Sequence, residues 1–191
     1  MDALLRGIST PVLHLPSYTQ KTRSVVLRIL QQFTLQKQLL LNQLSHPISF
    51  VTNVLAAIEG EKDPRNLLVC FDLTYFMLIT FMNPTSAFYQ EQSKEVLEQL
   101  EESFFDEIAC YFPINFKPPK NDAHKITPEQ LQSLLAKCML ASPSMNQHIV
   151  PYLLEKVSAT QMVTKVASLH MLTQVAQKFS LQELIDPTTG G

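Results

Sequence analysis

The residues of this chain whose types could bind a metal or attack a substrate are three cysteines and five histidines, and their spacing argues against both roles. Cys70, Cys110 and Cys138 lie far apart with no C-x-x-C among them. Iron–sulfur clusters draw on several thiolates, often at close spacing. Each cysteine falls in or at the end of a separate apolar segment, where a thiol reads as a small buried hydrophobe. His14, His46, His124, His148 and His170 form no HExxH and no Cys/His zinc pattern. No glycine-rich phosphate loop and no G-x-S-x-G elbow occur. No cysteine has a histidine close by in sequence, although pairing in space stays open. The expectation is a non-enzymatic chain with no catalytic, cofactor or metal site.

What remains is recognition chemistry, and three places carry it. Between Tyr111 and Ile126 no helical or strand period can be read, and Pro113, Pro118 and Pro119 forbid one. Loops of more than about 12–15 residues are uncommon inside compact domains and are functional or disordered. Tyr111, Phe112, Ile114, Phe116 and Ile126 give this one apolar anchors, so an ordered proline-rich loop is expected over 112–127. Phe116 with Lys117, Lys120 and Lys125 could present an aromatic anchor in a basic rim, the composition of a protein contact. The alternative is that Phe112, Ile114 and Phe116 pack inward as a brace and the lysines are only solvated, and both can hold together.

The second place is the stretch Glu91–Glu107. Seven carboxylates there face one lysine, Lys94, for a local net charge of −6. Val96, Leu97, Leu100, Phe104, Phe105 and Ile108 supply its buried stripe, and the acids read as a solvated outer face or as a dock for a basic client. The third is the turn Gly60–Arg65, where Asp63 and Arg65 could bond one repeat to the next or form an exposed contact, and capping alone explains Asp63-Pro64, which favours the structural use. None of the three has a basic stripe with interleaved aromatics, so no direct nucleic-acid binding is expected.

The elements that must position these residues are all helical. Only four glycines occur, and no alternating strand is bounded by an Asn-Gly or Asp-Gly turn. Helix starts are marked by Asp63-Pro64, by Thr127-Pro128 with a capping box to Gln130, by Ser142-Pro143, and by a second box from Ser158 to Gln161. The pattern predicts helices over about Thr22–Leu35, Gln36–Leu44, Ile48–Glu59, Pro64–Phe81, Ala87–Tyr111, Pro128–Leu140, Met145–Val157 and Ala159–Phe179, with Pro151 dividing or kinking the seventh. Paired helices on short turns, one partner nearly all apolar, are the pattern of stacked repeats. Residues 1–191 read as one HEAT-type α-solenoid region of about four repeats, with a single globular bundle as the competing architecture. The missing polar capping helix makes a fragment of a longer array the expectation.

Composition sets outer bounds. Of 191 residues, 46% are hydrophobic and 17% charged, and 15 Lys and Arg against 17 Asp and Glu leave a net charge of −2. No global field recruits nucleic acid or an anionic membrane. The N-terminus lacks a cationic region followed by an apolar one. Leu67–Phe81 is the most apolar stretch, yet it is 15 residues long and carries Asp72, short of the roughly 20 a membrane span needs. Scattered free thiols suit a reducing compartment, so cytoplasm and nucleus are expected.

Two long motifs, GEKDPRNLLVCF at Gly60–Phe71 and IACYFPINFKPPKNDAHKITPEQL at Ile108–Leu131, with LLEKV at Leu153–Val157, carry a resemblance. Together they resemble the N-terminal region of the HEAT-repeat scaffold family of the cytosolic iron–sulfur protein assembly (CIA) targeting complex, a family also linked to methyl-methanesulfonate sensitivity, nucleotide excision repair and transcription. The resemblance runs from about Leu4 to about Leu184. Where the family tends to read PPPNDP and a glycine after the histidine, this chain has Lys120 and Lys125, which alters the charge of the loop. The tail Asp186–Gly191 also departs from the pattern. The resemblance implies a non-catalytic adaptor that brings iron–sulfur clusters to apo-proteins of DNA repair, replication and transcription. Its implied companions are a WD-repeat subunit, a small acidic assembly factor, and client helicases and polymerases. A structural module or transcription co-regulator surface without client contact is the alternative.

Overall fold

A computed structural model describes residues 15–36, 46–118 and 125–185. Among them nine α-helices run in chain order as α1 Gln20–Gln36, α2 Pro47–Ile58, α3 Pro64–Phe81, α4 Ala87–Glu91, α5 Lys94–Ala109, α6 Pro128–Met139, α7 Asn146–Val157, α8 Met162–Lys178 and α9 Leu181–Ile185. Short 3-10 turns cover Leu15–Ser17 and Pro143–Met145, and the described residues contain no strand. The helices stack in two layers. In one, α3 lies between α1 and α6; in the other, α5 touches both α2 and α7, and α8 packs along α7. This is an all-α solenoid arrangement.

The local chemistry explains most of the boundaries. Asp63 caps α3 by accepting from the Arg65 N–H, with Pro64 in the first turn. The predicted box at α6 forms in full: Thr127 accepts from the Gln130 N–H while Gln130 accepts from the Thr127 N–H. Three expectations are corrected. The helix expected as one piece over Ala87–Tyr111 is two, because Ser93 leaves the helix to cap α5 at Val96 and Gln92 turns extended. Ser158 ends α7 in a helical conformation, so the Ser158–Gln161 box is absent and α8 begins at Met162 without a side-chain cap. Finally, α7 runs through Pro151 undivided. That proline sits on the exposed side and removes one backbone donor only. The expected helix Gln36–Leu44 falls on 37–45, outside the described residues.

The core runs along α3, which buries residues from Leu67 to Phe81 on most of its circumference. Phe71, Leu73, Met77, Leu78 and Phe81 are at most 2% exposed, and Phe104 of α5 meets them from the second layer with 0% exposure. Asp72, the odd carboxylate in this apolar helix, accepts from the Gln31 amide of α1.

One polar assembly fixes α1 against the start of α3. Gly60 adopts φ +71, a left-handed turn that ends α2 and that glycine takes at no steric cost. The turn aims Glu61 inward, where its side chain is 4% exposed. Arg23 of α1 donates to both carboxylate oxygens, each at 2.8 Å. The Asn66 amide donates to Oε2 at 2.8 Å, and the Lys62 and Asp63 backbone N–H groups donate to Oε1 at 2.9 and 3.0 Å. Burial pushes this carboxyl up, but the bonds from Arg23, Asp63, Asn66 and Lys62 prevail and hold it at about 2.

Because the folded value lies below the ordinary 4.5, the stabilisation is complete above that value and is lost as pH falls towards 2. Urea unfolding at pH 7 is expected to show Glu61→Ala destabilised by about 2–3 kcal/mol, since buried donors are left unpaired. Between pH 4.5 and 2 the Glu61→Gln protein is expected to lose less stability than the parent; equal losses would assign the acid response elsewhere.

Candidate protein-interaction surface

The aromatic half of the proline-rich loop is tied down from both layers. The Tyr111 hydroxyl donates to the Glu61 carbonyl at 3.0 Å, and its ring meets Phe71 edge-on at 5.3 Å. From α7, the Tyr152 hydroxyl donates to the carbonyls of Ala109 and Phe112 at 3.0 and 3.3 Å. Phe112, Ile114 and Phe116 are partly buried against the core. The structure thus turns Phe116 inward and leaves Lys117 exposed beside it. Lys125 is exposed with φ 50, and Ile126 after it is buried. Lys120 lies outside the described residues.

The acidic helix offers less charge than its sequence suggests. Glu95, Glu98, Glu102 and Asp106 are exposed along α5. Glu101 is 3% exposed; it accepts a short bond from the Gln147 amide and lies 4.0 Å from His148 Nε2. Burial pushes its carboxyl above the usual range. Glu107, in the last turn, is pushed up to about 8 by burial and by the charge of Glu59.

A groove of about 900 Å³ opens between α6 and α8. Ser133 and Ala136 line it from α6, Met162, Val163 and Val166 from α8, and the loop residues Phe112, Pro113 and Ile114 from one side. Sequence patterning did not point to it. The usable signal was on α8, where apolar residues extend well beyond the buried stripe of Met171 and Val175.

The thiols divide. Cys70 and Cys138 are buried, and burial raises both thiols far above their ordinary range. The Cys138 thiol donates to the Phe71 carbonyl at 3.0 Å. Cys110 is exposed, contrary to the expectation of three buried cysteines, because it caps the C-terminus of α5 at the surface. Among the described residues, no three His, Cys, Asp or Glu side chains gather at metal-binding distance, and no helix is long and apolar enough to cross a membrane.

With this geometry in view, the chain matches over residues 2–188 a family described as Dos2-interacting transcription regulator of RNA-Pol-II. It is 32% identical over 166 residues to a protein of Dictyostelium discoideum named MMS19 nucleotide excision repair protein homolog, covering 87% of this chain and 14% of that protein. Identity to the Homo sapiens protein of the same name is 31% over 184 residues, covering 96% of this chain and 16% of that protein. For the Drosophila melanogaster MMS19 nucleotide excision repair protein it is 32% over 163 residues, covering 85% and 15%. The chain therefore spans about one-seventh of the length of these relatives.

Two outcomes follow from the bracing and the buried acids. Tyr152→Phe removes the bonds to Ala109 and Phe112. It is expected to cost about 1 kcal/mol and to speed amide exchange over 112–118, read by hydrogen exchange. Glu107 keeps its proton in the folded state after an unfolded glutamate has lost it, so its contribution to stability falls as pH rises from 4.5 to about 8. A higher melting temperature for Glu107→Gln than for the parent at pH 8, with no difference at pH 4, is the expected result.

Proposed function

Because the chain belongs to the family of Dos2-interacting transcription regulators of RNA-Pol-II, we propose that it is a non-catalytic scaffold segment in DNA repair and transcription, serving the cytosolic iron–sulfur assembly machinery. In this reading it helps to bring iron–sulfur clusters, as cargo, to apo-proteins such as helicases and polymerases. A WD-repeat subunit and a small acidic assembly factor are its companions, in cytoplasm and nucleus. The chain would perform no chemistry of its own and would raise the local concentration of client near the loaded assembly factor.

The observation that supports this reading best is how the polar groups are used. Glu61, Arg23, Asn66 and Tyr111 are engaged in bonds between helices and loop, which is work that builds a platform. What the platform leaves facing outward is an apolar groove together with Lys117 and Lys125, surfaces suited to binding proteins. The relatives named for nucleotide excision repair carry no enzyme in their names. A second reading, a structural spacer or transcription co-regulator surface without client contact, is favoured by the inward packing of Phe112, Ile114 and Phe116.

Immunoprecipitation of this chain from cell extract, with iron–sulfur helicases and polymerases quantified by mass spectrometry, separates the two. Recovery of those proteins by the parent, and its loss in a Lys117→Glu, Lys125→Glu protein of unchanged melting temperature, is the expected outcome. A folded parent that recovers none of them would leave the spacer reading standing.

A further inference from the structure

The start of α7 is held by less than the starts of α3 and α6, which have side-chain caps of their own. Met145 stands at its N-cap and forms no side-chain bond there, and the Asn146 amide, 2% exposed, has neither its nitrogen nor its oxygen partnered. Among the described residues the first turn makes one side-chain hydrogen bond, a short one from the Gln147 amide to Oε2 of Glu101 on α5. His148 Nε2 lies 4.0 Å from the same oxygen, shielded from water and without a hydrogen-bond partner. Phe105, one turn beyond Glu101, stacks on the imidazole at 5.6 Å and fixes where it sits. Phe105 also meets Tyr152 edge-on at 5.4 Å, so this joint adjoins the brace on the proline-rich loop.

Glu101 is 3% exposed, and among the described residues no lysine or arginine pairs with it. Burial pushes its carboxyl up and outweighs the bonds from Ser144 and Gln147. The charges that act most on it are those of His148, favourably, and of Glu98, unfavourably; Glu98 is exposed and 3.5 Å from Lys94. On α4, the Tyr89 phenol is pushed up by burial and by the Glu101 charge. Of the other helices against α5, α2 has no titratable side chain, Arg65 and Asp72 of α3 bond to Asp63 and Gln31, and Glu129 and Lys137 of α6 line the groove. Helix α8 packs along α7, and α9 on the turn before it. They carry Lys165, His170, Lys178 and Glu183, of which His170 bonds to Gln174, Lys178 lies over the Phe179 ring and Glu183 accepts from the Ser180 N–H. A buried carboxylate so placed is costly to keep charged unless a cation accompanies it, and the imidazole is the group in reach.

We propose that Glu101 and His148 form a proton-operated latch between α5 and the start of α7, closed while the pair holds one proton in common and loosened when that proton leaves. In the closed state Oε2 and Nε2 share a charge-assisted bond, and the buried unit carries no net charge. The proton belongs to the pair and not to either residue alone. When it passes to water, a net negative charge stays buried with only neutral donors beside it, and the first turn of α7 loses much of its hold on α5. The folded chain thus binds this proton more tightly than the unfolded chain does. By linkage, the contribution of the latch is present in mildly acid solution and is lost as pH rises. The inference goes beyond iron–sulfur delivery and does not depend on it.

The test is a double-mutant cycle of Glu101→Gln and His148→Gln on the 191-residue chain, unfolded in urea at pH 6 and at pH 8.5. Coupling between the two changes is expected to be worth roughly three- to tenfold in the unfolding constant at pH 6, and less than about twofold at pH 8.5. Glu107, whose own carboxyl is pushed up to about 8, is common to all four chains and cancels. No coupling at either pH would overturn the proposal, since the two side chains would then not form a latch. Equal coupling at both would overturn it as well, by showing a tie that no proton operates. Should one variant fail to fold, the other against the parent decides. Its destabilisation is expected to be larger at pH 6 than at pH 8.5, and equal destabilisation at both would count against the latch.

Discussion

The carboxylate of Glu61 is the constraint on which the arrangement of the first helices depends. A lone buried carboxylate would be expelled or protonated, and this one is neither, because five hydrogen bonds reach it from Arg23, Lys62, Asp63 and Asn66. Those donors come from α1, from the turn after α2 and from the first turn of α3. Satisfying one anion therefore fixes three pieces of backbone at once. The same residue extends the link through its carbonyl, which accepts from Tyr111 at the start of the proline-rich loop. Apolar packing along α3 supplies the stability, but it tolerates sliding; the directed bonds at Glu61 decide the register.

From that point the constraint passes along the array. Tyr111 stacks edge-on against Phe71 and leads directly into Phe112, whose carbonyl accepts from Tyr152 of α7. Further along, the Ser142 hydroxyl donates to the Met82 carbonyl at 2.7 Å and joins the turn after α6 to the end of α3. The two walls of the groove rest mainly on different neighbours, α6 on α3 and α8 on α7, and α5 touches both α6 and α7. Phe112, Pro113 and Ile114 occupy the space where the two supports meet. The loop that looked like a recognition element in its own right also serves as a wedge, and the opening it borders is where apolar surface is left uncovered.

How much of this could be read from the residues depended on how local the signal was. The starts of α3 and α6 were legible because Asp63-Pro64 and Thr127-Pro128 with Gln130 are self-contained chemistry. The break at Ser93 was not, since the apolar stripe carries on across it and only the cap bond to Val96 decides the matter. Among the candidate contacts, the loop's anchors were visible as aromatic residues, but whether Phe116 faced inward depended on packing from other helices. Glu61 passed as one charge in a turn because its partner Arg23 is 38 residues away. Glu101 likewise read as one acid of many until α7 covered it. The groove was least legible: it arises from the separation of α6 and α8, and no stretch of sequence encodes a separation.

The distribution of bonds also bears on what such a platform can present. A surface that holds a partner at a set position must not relax when the partner leaves, so its supports have to be satisfied internally. Glu61, Tyr111 and Tyr152 are supports of this kind, each spending its polar atoms on the chain itself. Exposed apolar side chains on α8 have the opposite character. Met162, Val163 and Val166 gain nothing from water, and helix propensity does not require them there, since alanine or lysine would form the helix as well. Held on a braced frame beside the groove, they leave apolar area in water that the packing of the described residues does not remove.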